Sequence, residues 1–505
     1  MKTRTQQLLA TFLLALLTFP LNLHLFAQTN DITLTQTPAG KQIQAFIRAY
    51  NTNNLDSLRG FVSSQSDQGF LSQRPDRARS AAAYWMNIFS QYGPVQYHSI
   101  SRVSGYETEA WTTGTVGRAW LGLDFTVDSL PPYKIVDYGV VRGARPNILP
   151  KLVPKSELSP YLDSYLHQLS STGLFSGAVL VADNDKEFFS GAYGDANSEN
   201  YAPNRLDTKF YIASLSKMFT ATAILQLADK NLLTLSDTIS KYLPEYPKHI
   251  SNQVTIRRLL THTSGIELDD IEGFNTAIQR AKTMKDLYQA QLDYVSELPN
   301  YKKFTPPERF NYSNEDYDLL GVIIERMAGQ TYDDYLLNNV FEPAGMKSSA
   351  SFNPNKPLTG IAIGYTRRDT SGQYLSGSPH DNALFMQART RPSGGHYSTV
   401  RDLFRFITSL KQGKLLARAK SAELMSPHVT LRESSDESNY YGYGFQIEKK
   451  GAIRMVGHGG AFYGASARFD DYPDLGFTVI VLSNQEWVAN NVADHIREII
   501  GGFGK

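Results

Sequence analysis

Two blocks of strand-like sequence stand far apart in this chain, and neither can bury both of its faces alone. The first comprises Ser176 to Ala182 and Glu187 to Ala192, a hairpin around the turn residues Asp183-Asn184-Asp185. The second comprises Tyr443 to Glu448, Ala452 to His458, Ala465 to Asp470 and Phe477 to Ser483. Between them the apolar periodicity is helical as far as Tyr440. Strands at both ends of a helical stretch imply one sheet assembled from distant segments. Phe477 to Leu482 is short, apolar and rich in β-branched residues, as a strand buried on both faces would be. A last helix is expected from Glu486 to Ile500.

The 505 residues exceed what one hydrophobic core holds, so two or three domains are expected. Residues 40–146 carry their own pattern. Helices are expected over Gln42 to Ser63, interrupted at Asn51 to Asn54, and over Arg77 to Tyr92. Short strands follow over Val95–Val103, Thr108–Val116, Arg118–Val127 and Tyr133–Val141. Helices first and a curved antiparallel sheet after is an α+β layout. It resembles the cone-shaped nuclear-transport-factor-like domain. Trp85, Trp111, Trp120 and Tyr138 read as its core, although such residues can also line a pocket. Residues 147–157 read as a linker, and 158–505 as the larger domain.

Lys2 and Arg4, the apolar run Leu8 to Phe19, Pro20, and Ala27 before Gln28 give residues 1–27 the form of a secretory signal peptide. The run is short beside the roughly 20 apolar residues of a membrane span. The chain has no cysteine, which excludes disulfides, thiol catalysis, thiolate metal sites and a lipid-modified cysteine. The expectation is a periplasmic or secreted protein without a membrane span once the signal is removed. A net charge of +1 offers no basic excess for phosphates, so nucleic acid is not an expected partner.

Three short segments carry the chemistry. Ser214-Leu215-Ser216-Lys217 opens a helix expected to run to about Lys230, and i, i+3 spacing puts the hydroxyl and the amine on one face. Contact with a proton acceptor would turn the Ser214 hydroxyl into a nucleophile. Unpaired N–H groups at the helix start, that of Ser214 among them, would favour a developing oxyanion. In Tyr312-Ser313-Asn314 the phenol can relay a proton and the amide can orient a substrate. In His458-Gly459-Gly460 the glycines let a backbone approach a ligand, Ala461 N–H is a second oxyanion donor, and His458 can bind a carboxylate or polarise a substrate. Taken singly, each segment also reads as a helix cap, a turn or a strand end.

Together, in this order, they resemble the serine β-lactamase and penicillin-binding-protein superfamily, in its class C-related branch of esterases, D-aminopeptidases and carboxypeptidases. Leu259 to Gly265, Gly394 to Thr399, Tyr441 to Gly444 and Leu482 to Asn484 add to the resemblance. It covers about residues 158–502. The resemblance implies an α/β domain of β-lactamase/transpeptidase type, an antiparallel sheet flanked by helices plus an all-helical region. It implies Ser214 as acylated nucleophile and Lys217 and Tyr312 as sharing the acid and base work, with the order of their action open. It further implies Asn314, His458, Gly459 and Gly460 as substrate-binding residues and the N–H groups of Ser214 and Ala461 as oxyanion hole. Neither metal nor organic cofactor is implied, and the partner is a small-molecule or peptide substrate. The oligomeric state stays open.

The β-lactamases of the family carry Lys-Thr-Gly where this chain has His458-Gly459-Gly460. A histidine is mostly neutral near pH 7, which favours esters, amides or amino-terminal D-peptides over penicillin-type carboxylates. His262 reads as structural, serving loop backbone, and His396 either lines the cleft or packs behind it. No Gly-x-Ser-x-Gly elbow and no His-Glu-x-x-His motif is present, which disfavours the α/β-hydrolase and zinc-hydrolase alternatives. A binding or sensor protein on the same fold, slowly acylated or not at all, remains the competing reading.

Overall fold

Gly177–Asp183 is buried along almost its whole length, and its side chains divide between two cores. Ala178, Leu180 and Ala182 face a large helical region, while Val179 and Val181 face the opposite layer. This strand is therefore buried on both faces, in the middle layer of a sandwich of helix, sheet and helix. The computed structural model describes residues 33–501 apart from 74–76, 117, 119, 142–152, 270, 308, 353–356, 371, 376–377 and 435–436. The signal peptide expected at 1–27 and most of the linker expected at 147–157 lie outside the described residues.

The N-terminal unit has helices α1 (Pro38–Tyr50), α2 (Leu55–Gln65) and α3 (Arg77–Tyr92). They pack on a four-stranded antiparallel meander of β1 (Val95–Ser104), β2 (Glu107–Gly114), β3 (Trp120–Val127) and β4 (Ile135–Val140). The Thr37 and Asn54 side chains accept N–H groups at the starts of α1 and α2, which places the helix break where the sequence puts it. Phe46, Trp85 and Phe125 meet in the core, with Phe46 and Trp85 ring centroids 4.5 Å apart. Trp85 and Tyr138 pack in or against that core, their ring centroids 5.7 Å apart, whereas Trp120 is half-buried beside His98 at 4.8 Å.

The larger unit begins with α4 (Lys155–Ser171), then β5 (Gly177–Asp183) and β6 (Lys186–Tyr193). Helices α5 (Ser216–Asp229), α6 (Asn314–Ala328) and α7 (Val400–Lys411) belong to the helical region. The remaining strands are β7 (Val429–Glu433), β8 (Glu437–Tyr441), β9 (Gln446–Lys450), β10 (Ile453–Phe462), β11 (Ala465–Tyr472) and β12 (Phe477–Ser483), followed by α8 (Val488–Ile500). They form an eight-stranded antiparallel sheet in the order β7-β8-β9-β10-β11-β12-β5-β6. The distant blocks join where β12 pairs with β5, Ser483 opposite Gly177. Two details differ from expectation. Strands β7 and β8 extend the sheet edge where helix was expected, and Tyr443 lies in the turn between β8 and β9. Strand β10 also continues past His458-Gly459-Gly460 to Phe462.

Helix α5 is buried from Ser216 to Leu227 on every side, so it is the axis of the helical region rather than an amphipathic surface helix. That placement takes Lys217 out of solvent. The N-terminal unit seats against the α8 side of the larger one. Asn491 donates to Gln91 O at 2.7 Å, and Tyr374, from a loop of the larger unit, is buried in the N-terminal core. Truncating that plug by Tyr374→Ala is expected to cost about 3 kcal/mol or more. Scanning calorimetry should then show the N-terminal unit unfolding at lower temperature, and a single unshifted transition would count against the plug.

Candidate active site

The turn that carries Ser214 is held from two sides. Phe210–Tyr211 pairs with Tyr397–Ser398, and Ile212 N–H donates to His396 O at 2.9 Å. A 3-10 turn over Ala213–Leu215 then leads into α5. Ala213 has a φ of 45°, the left-handed region that costs a residue with a Cβ about 1–2 kcal/mol. Its carbonyl is fixed by Ser216 Oγ at 2.8 Å and Gly395 N–H at 3.3 Å. The turn leaves Ser214 half-buried, with its hydroxyl aimed at Lys217 and Tyr312.

Lys217 Nζ lies 3.3 Å from Ser214 Oγ, 2.8 Å from Asn314 Oδ1 and 2.7 Å from Ser393 O. These three acceptors match the three N–H groups of an ammonium. Tyr312 OH lies 3.0 Å from Ser214 Oγ, and Lys217 Nζ stands 4.7 Å from the centre of the Tyr312 ring. Lys217 is 0% exposed and Tyr312 38%, so the amine is sealed below the site and the phenol forms its wall. Asn314 opens α6, capped by the Ser313 hydroxyl, and its amide donates to Asp269 Oδ2 at 3.2 Å. Ser214, Lys217, Tyr312 and Asn314 are thus brought together as their motifs suggested.

The glycine-rich strand plays a different part from the one expected. A Cβ at Gly460 would collide with the Ile212 carbonyl and lie 3.3 Å from Ala213 Cβ, so this glycine makes room for the Ser214 turn rather than for a ligand. Gly459 turns toward Arg468 and Asn490, on the other face of the sheet. Ala461 follows Gly460 on the same strand, alongside the turn. The His458 ring is 1% exposed. Its Nε2 meets Tyr441 OH at 3.1 Å and its Nδ1 meets Gly459 O at 2.6 Å. Both nitrogens are occupied inside the protein, which corrects the expectation that His458 meets a substrate carboxylate.

Buried neutral groups surround Lys217. Burial, and next the nearby Lys217, push His458 down to about 3 and hold His262 well below the ordinary histidine value. His396 is pushed to about 3 by burial and then Arg389, inside a cage of Phe219, Tyr332 and Phe341. Burial raises Glu315 to about 8, with Asp269 adding to it, and raises Asp316 well above the carboxylate range. Below the site, Arg391 forms a buried ion pair with Asp318, whose other oxygen accepts Ser393 N–H at 3.2 Å. That pair steadies the carbonyl that holds Lys217. Asp269, Ser393, Asp318, Arg391 and Tyr441 were not singled out as site residues from sequence. The acidic run from Glu267 to Glu272, directly after His262–Gly265, was the readable signal for Asp269.

The Beta-lactamase family is matched over residues 162–499. A penicillin-binding protein of Bacillus subtilis (strain 168) is 31% identical over 343 residues, which span 66% of this chain and 73% of that protein. The crystal structure of a penicillin-binding protein from Bacillus halodurans superposes with a TM-score of 0.57 at 30% identity, covering 66% of this chain and 98% of that one. A D-amino acid amidase from Ochrobactrum anthropi SV3 has the same fold, with a TM-score of 0.58 at 22% identity over 68% of this chain and 99% of its own. The N-terminal unit lies outside the residues matched to the family.

The buried groups set a pH optimum for stability. His458 and His396 titrate near 3 in the fold against 6.5 when unfolded, so the unfolded chain binds more protons between those values. Their stability is complete above pH 6.5 and is lost as pH falls toward 3, with a slope of about 1.4 kcal/mol per pH unit for each ring. Glu315 runs the other way: its contribution is complete below 4.5 and is lost as pH rises toward 8. His262 and Asp316 add the same signs. Thermal midpoints measured from pH 4 to 8 are expected to peak near pH 6.5. A midpoint still climbing at pH 8 would mean that Glu315 is ionised in the fold.

Proposed function

The chain belongs to the Beta-lactamase family, and from that premise we propose that it is a serine hydrolase that cleaves ester or amide bonds through an acyl-enzyme on Ser214. The observation that carries this reading is the convergence of Tyr312 OH and Lys217 Nζ on one serine oxygen, at 3.0 and 3.3 Å. Tyr312 enters the step as the phenolate, so that as Ser214 Oγ attacks the substrate carbonyl carbon its proton passes to the Tyr312 oxygen and leaves a neutral phenol. Lys217, whose three N–H groups are spent on acceptors, acts as a fixed positive charge rather than as the first base. It stabilises the negative charge that the Tyr312 oxygen carries before the transfer and that Ser214 Oγ gains during it. The N–H groups of Ser214 and Ala461 receive the oxyanion. As the tetrahedral intermediate collapses, Tyr312 returns the proton to the leaving alkoxide or amine. In the second half-reaction Tyr312 takes a proton from water, which attacks the acyl carbon, and returns it to Ser214 Oγ as the acyl–oxygen bond breaks.

The charges at the mouth narrow the substrate class. With His458 turned inward, that position offers no cation to a substrate carboxylate. Asp269 is exposed beside Asn314 and suits a substrate that carries an amine near the scissile bond. Amides of D-amino acids belong on the test panel for that reason, and because one protein of this fold is a D-amino acid amidase. The N-terminal unit, helices on an antiparallel sheet, fits a nuclear-transport-factor-like accessory domain. We read residues 1–27 as directing export to the periplasm or the medium.

Intact-protein mass spectrometry with an activated ester, a D-amino-acid amide and a penicillin tests the reading. A covalent adduct or product absent from Ser214→Ala is expected, while Tyr312→Phe lowers the acylation rate by about 10² to 10⁴. An adduct that forms on Ser214 but does not turn over would favour the sensor reading. Wild-type turnover in Ser214→Ala would remove Ser214 from the mechanism. Asp269→Asn is expected to raise KM for the amine-bearing amide and to leave KM for its N-acetylated counterpart unchanged, and equal effects on both would detach Asp269 from substrate charge.

A further inference from the structure

We propose that His262, Tyr441 and His458 form a one-way hydrogen-bond relay that holds Tyr312 against Ser214, and that His262 and Tyr441 are positioning residues of the reaction. The inference rests on the roles assigned above to Ser214 and Tyr312.

Tyr312 is the exposed member of the catalytic group, and it sits in a loop. A loop hydroxyl must be held to a fraction of an ångström, because a shift of about 1 Å can cost about a hundredfold in rate. The holding falls to His262. Its backbone carbonyl accepts Asn311 N–H at 2.7 Å, and its Nδ1 accepts Ser313 N–H at 3.1 Å. The residues on either side of Tyr312 are therefore tied to one histidine. The His262 ring also packs against the Tyr312 ring, with centroids 4.4 Å apart. His262 has a φ of 54°, so the chain holds an unfavourable backbone angle to deliver this clamp.

The direction of every bond in the relay follows from its ends. Ser313 N–H can only donate, so His262 Nδ1 is an acceptor and the proton of the neutral ring sits on Nε2. That Nε2–H donates to Tyr441 OH at 3.2 Å. At the other end the Gly459 carbonyl can only accept, so His458 carries its proton on Nδ1 and its Nε2 is an acceptor. Tyr441 O–H must then donate to His458 Nε2 at 3.1 Å. Four bonds point one way, from the Tyr312 loop through two buried rings and one phenol to the backbone of β10. Strand β10 is the one that packs Gly460 under the nucleophile turn and carries Ala461. The relay thus couples the position of the proton acceptor to that of the oxyanion strand.

The titratable groups facing the relay are Lys217 from α5, Tyr312, Asp316 and Tyr317 from the α6 end, and Arg468 from β11. Tyr317 spends its proton on Leu260 O at 2.9 Å. Adding a proton to either histidine would set two donors face to face and break the one-way order.

Tyr441→Phe tests the idea, since it removes one oxygen and keeps the ring. It leaves His262 Nε2–H and His458 Nε2 without partners. With active sites counted by an acylating ester, kcat per site is expected to fall by about tenfold or more, with KM changed by less than about threefold. The acid limb of kcat/KM is expected to move to higher pH, because His458 Nε2 no longer faces a donor. His262→Asn, a residue that tolerates the left-handed backbone angle, gives an independent second reading, with an expected loss of about a hundredfold per titrated site. A purely structural role would lower the number of titratable sites and leave kcat per site and the acid limb where they were. That result in both variants, with turnover still dependent on Ser214, would overturn the relay. Turnover that survives Ser214→Ala would instead overturn the site assignment and the relay with it.

Discussion

One buried amine organises this site. Lys217 Nζ collects one oxygen from its own turn, that of the serine three residues before it, and two from segments remote in sequence, the amide that opens α6 and the carbonyl of Ser393. Burying a lysine without such partners would be prohibitive, and withdrawing any one would leave a charge poorly compensated in a low-dielectric interior. The rest of the architecture answers that demand. Helix α5 is buried all round so that Lys217 can be. The Arg391–Asp318 pair locks the Ser393 strip, and the cap on α6 fixes the reach of Asn314.

The groups around the amine are kept neutral. His262, His458, Asp316 and Glu315 each lose their charge to burial, so little in the immediate wall opposes or screens the field of Lys217. That field acts where it is useful, on the serine oxygen and on the face of the Tyr312 ring. Asp269 supplies the negative charge at the mouth, where water can moderate it.

What could be read from the sequence was whatever depends on short spacing. Ser214 and Lys217 are one helical turn apart, and Tyr312-Ser313-Asn314 is a cap with its flanks, so both were legible. The joining of the two strand blocks into one sheet was legible because an apolar strand such as Phe477–Ser483 needs partners on both sides. What escaped depends on neighbours that sequence distance hides. Ser393 contributes a backbone oxygen, which no side chain announces. The inward turn of His458 is decided by Tyr441 on another strand. Strands β7 and β8 are largely polar and partly exposed, as sheet edges tend to be, and carry none of the alternation that marks a half-buried strand.

The pairing of β12 with β5 has a consequence for how the molecule is made. Residue 177 must wait for residue 483 before the two parts of the sheet can join. Helix α5 shares its core with that sheet, so Lys217 is not fully enclosed until Ser393 and the later strands are in place. Contacts of such long sequence separation slow folding and prolong exposure of apolar edges. A chain built this way completes its core only once residue 483 has been made. Until then the half-formed sheet presents unpaired strand edges, which are open to pairing with other chains.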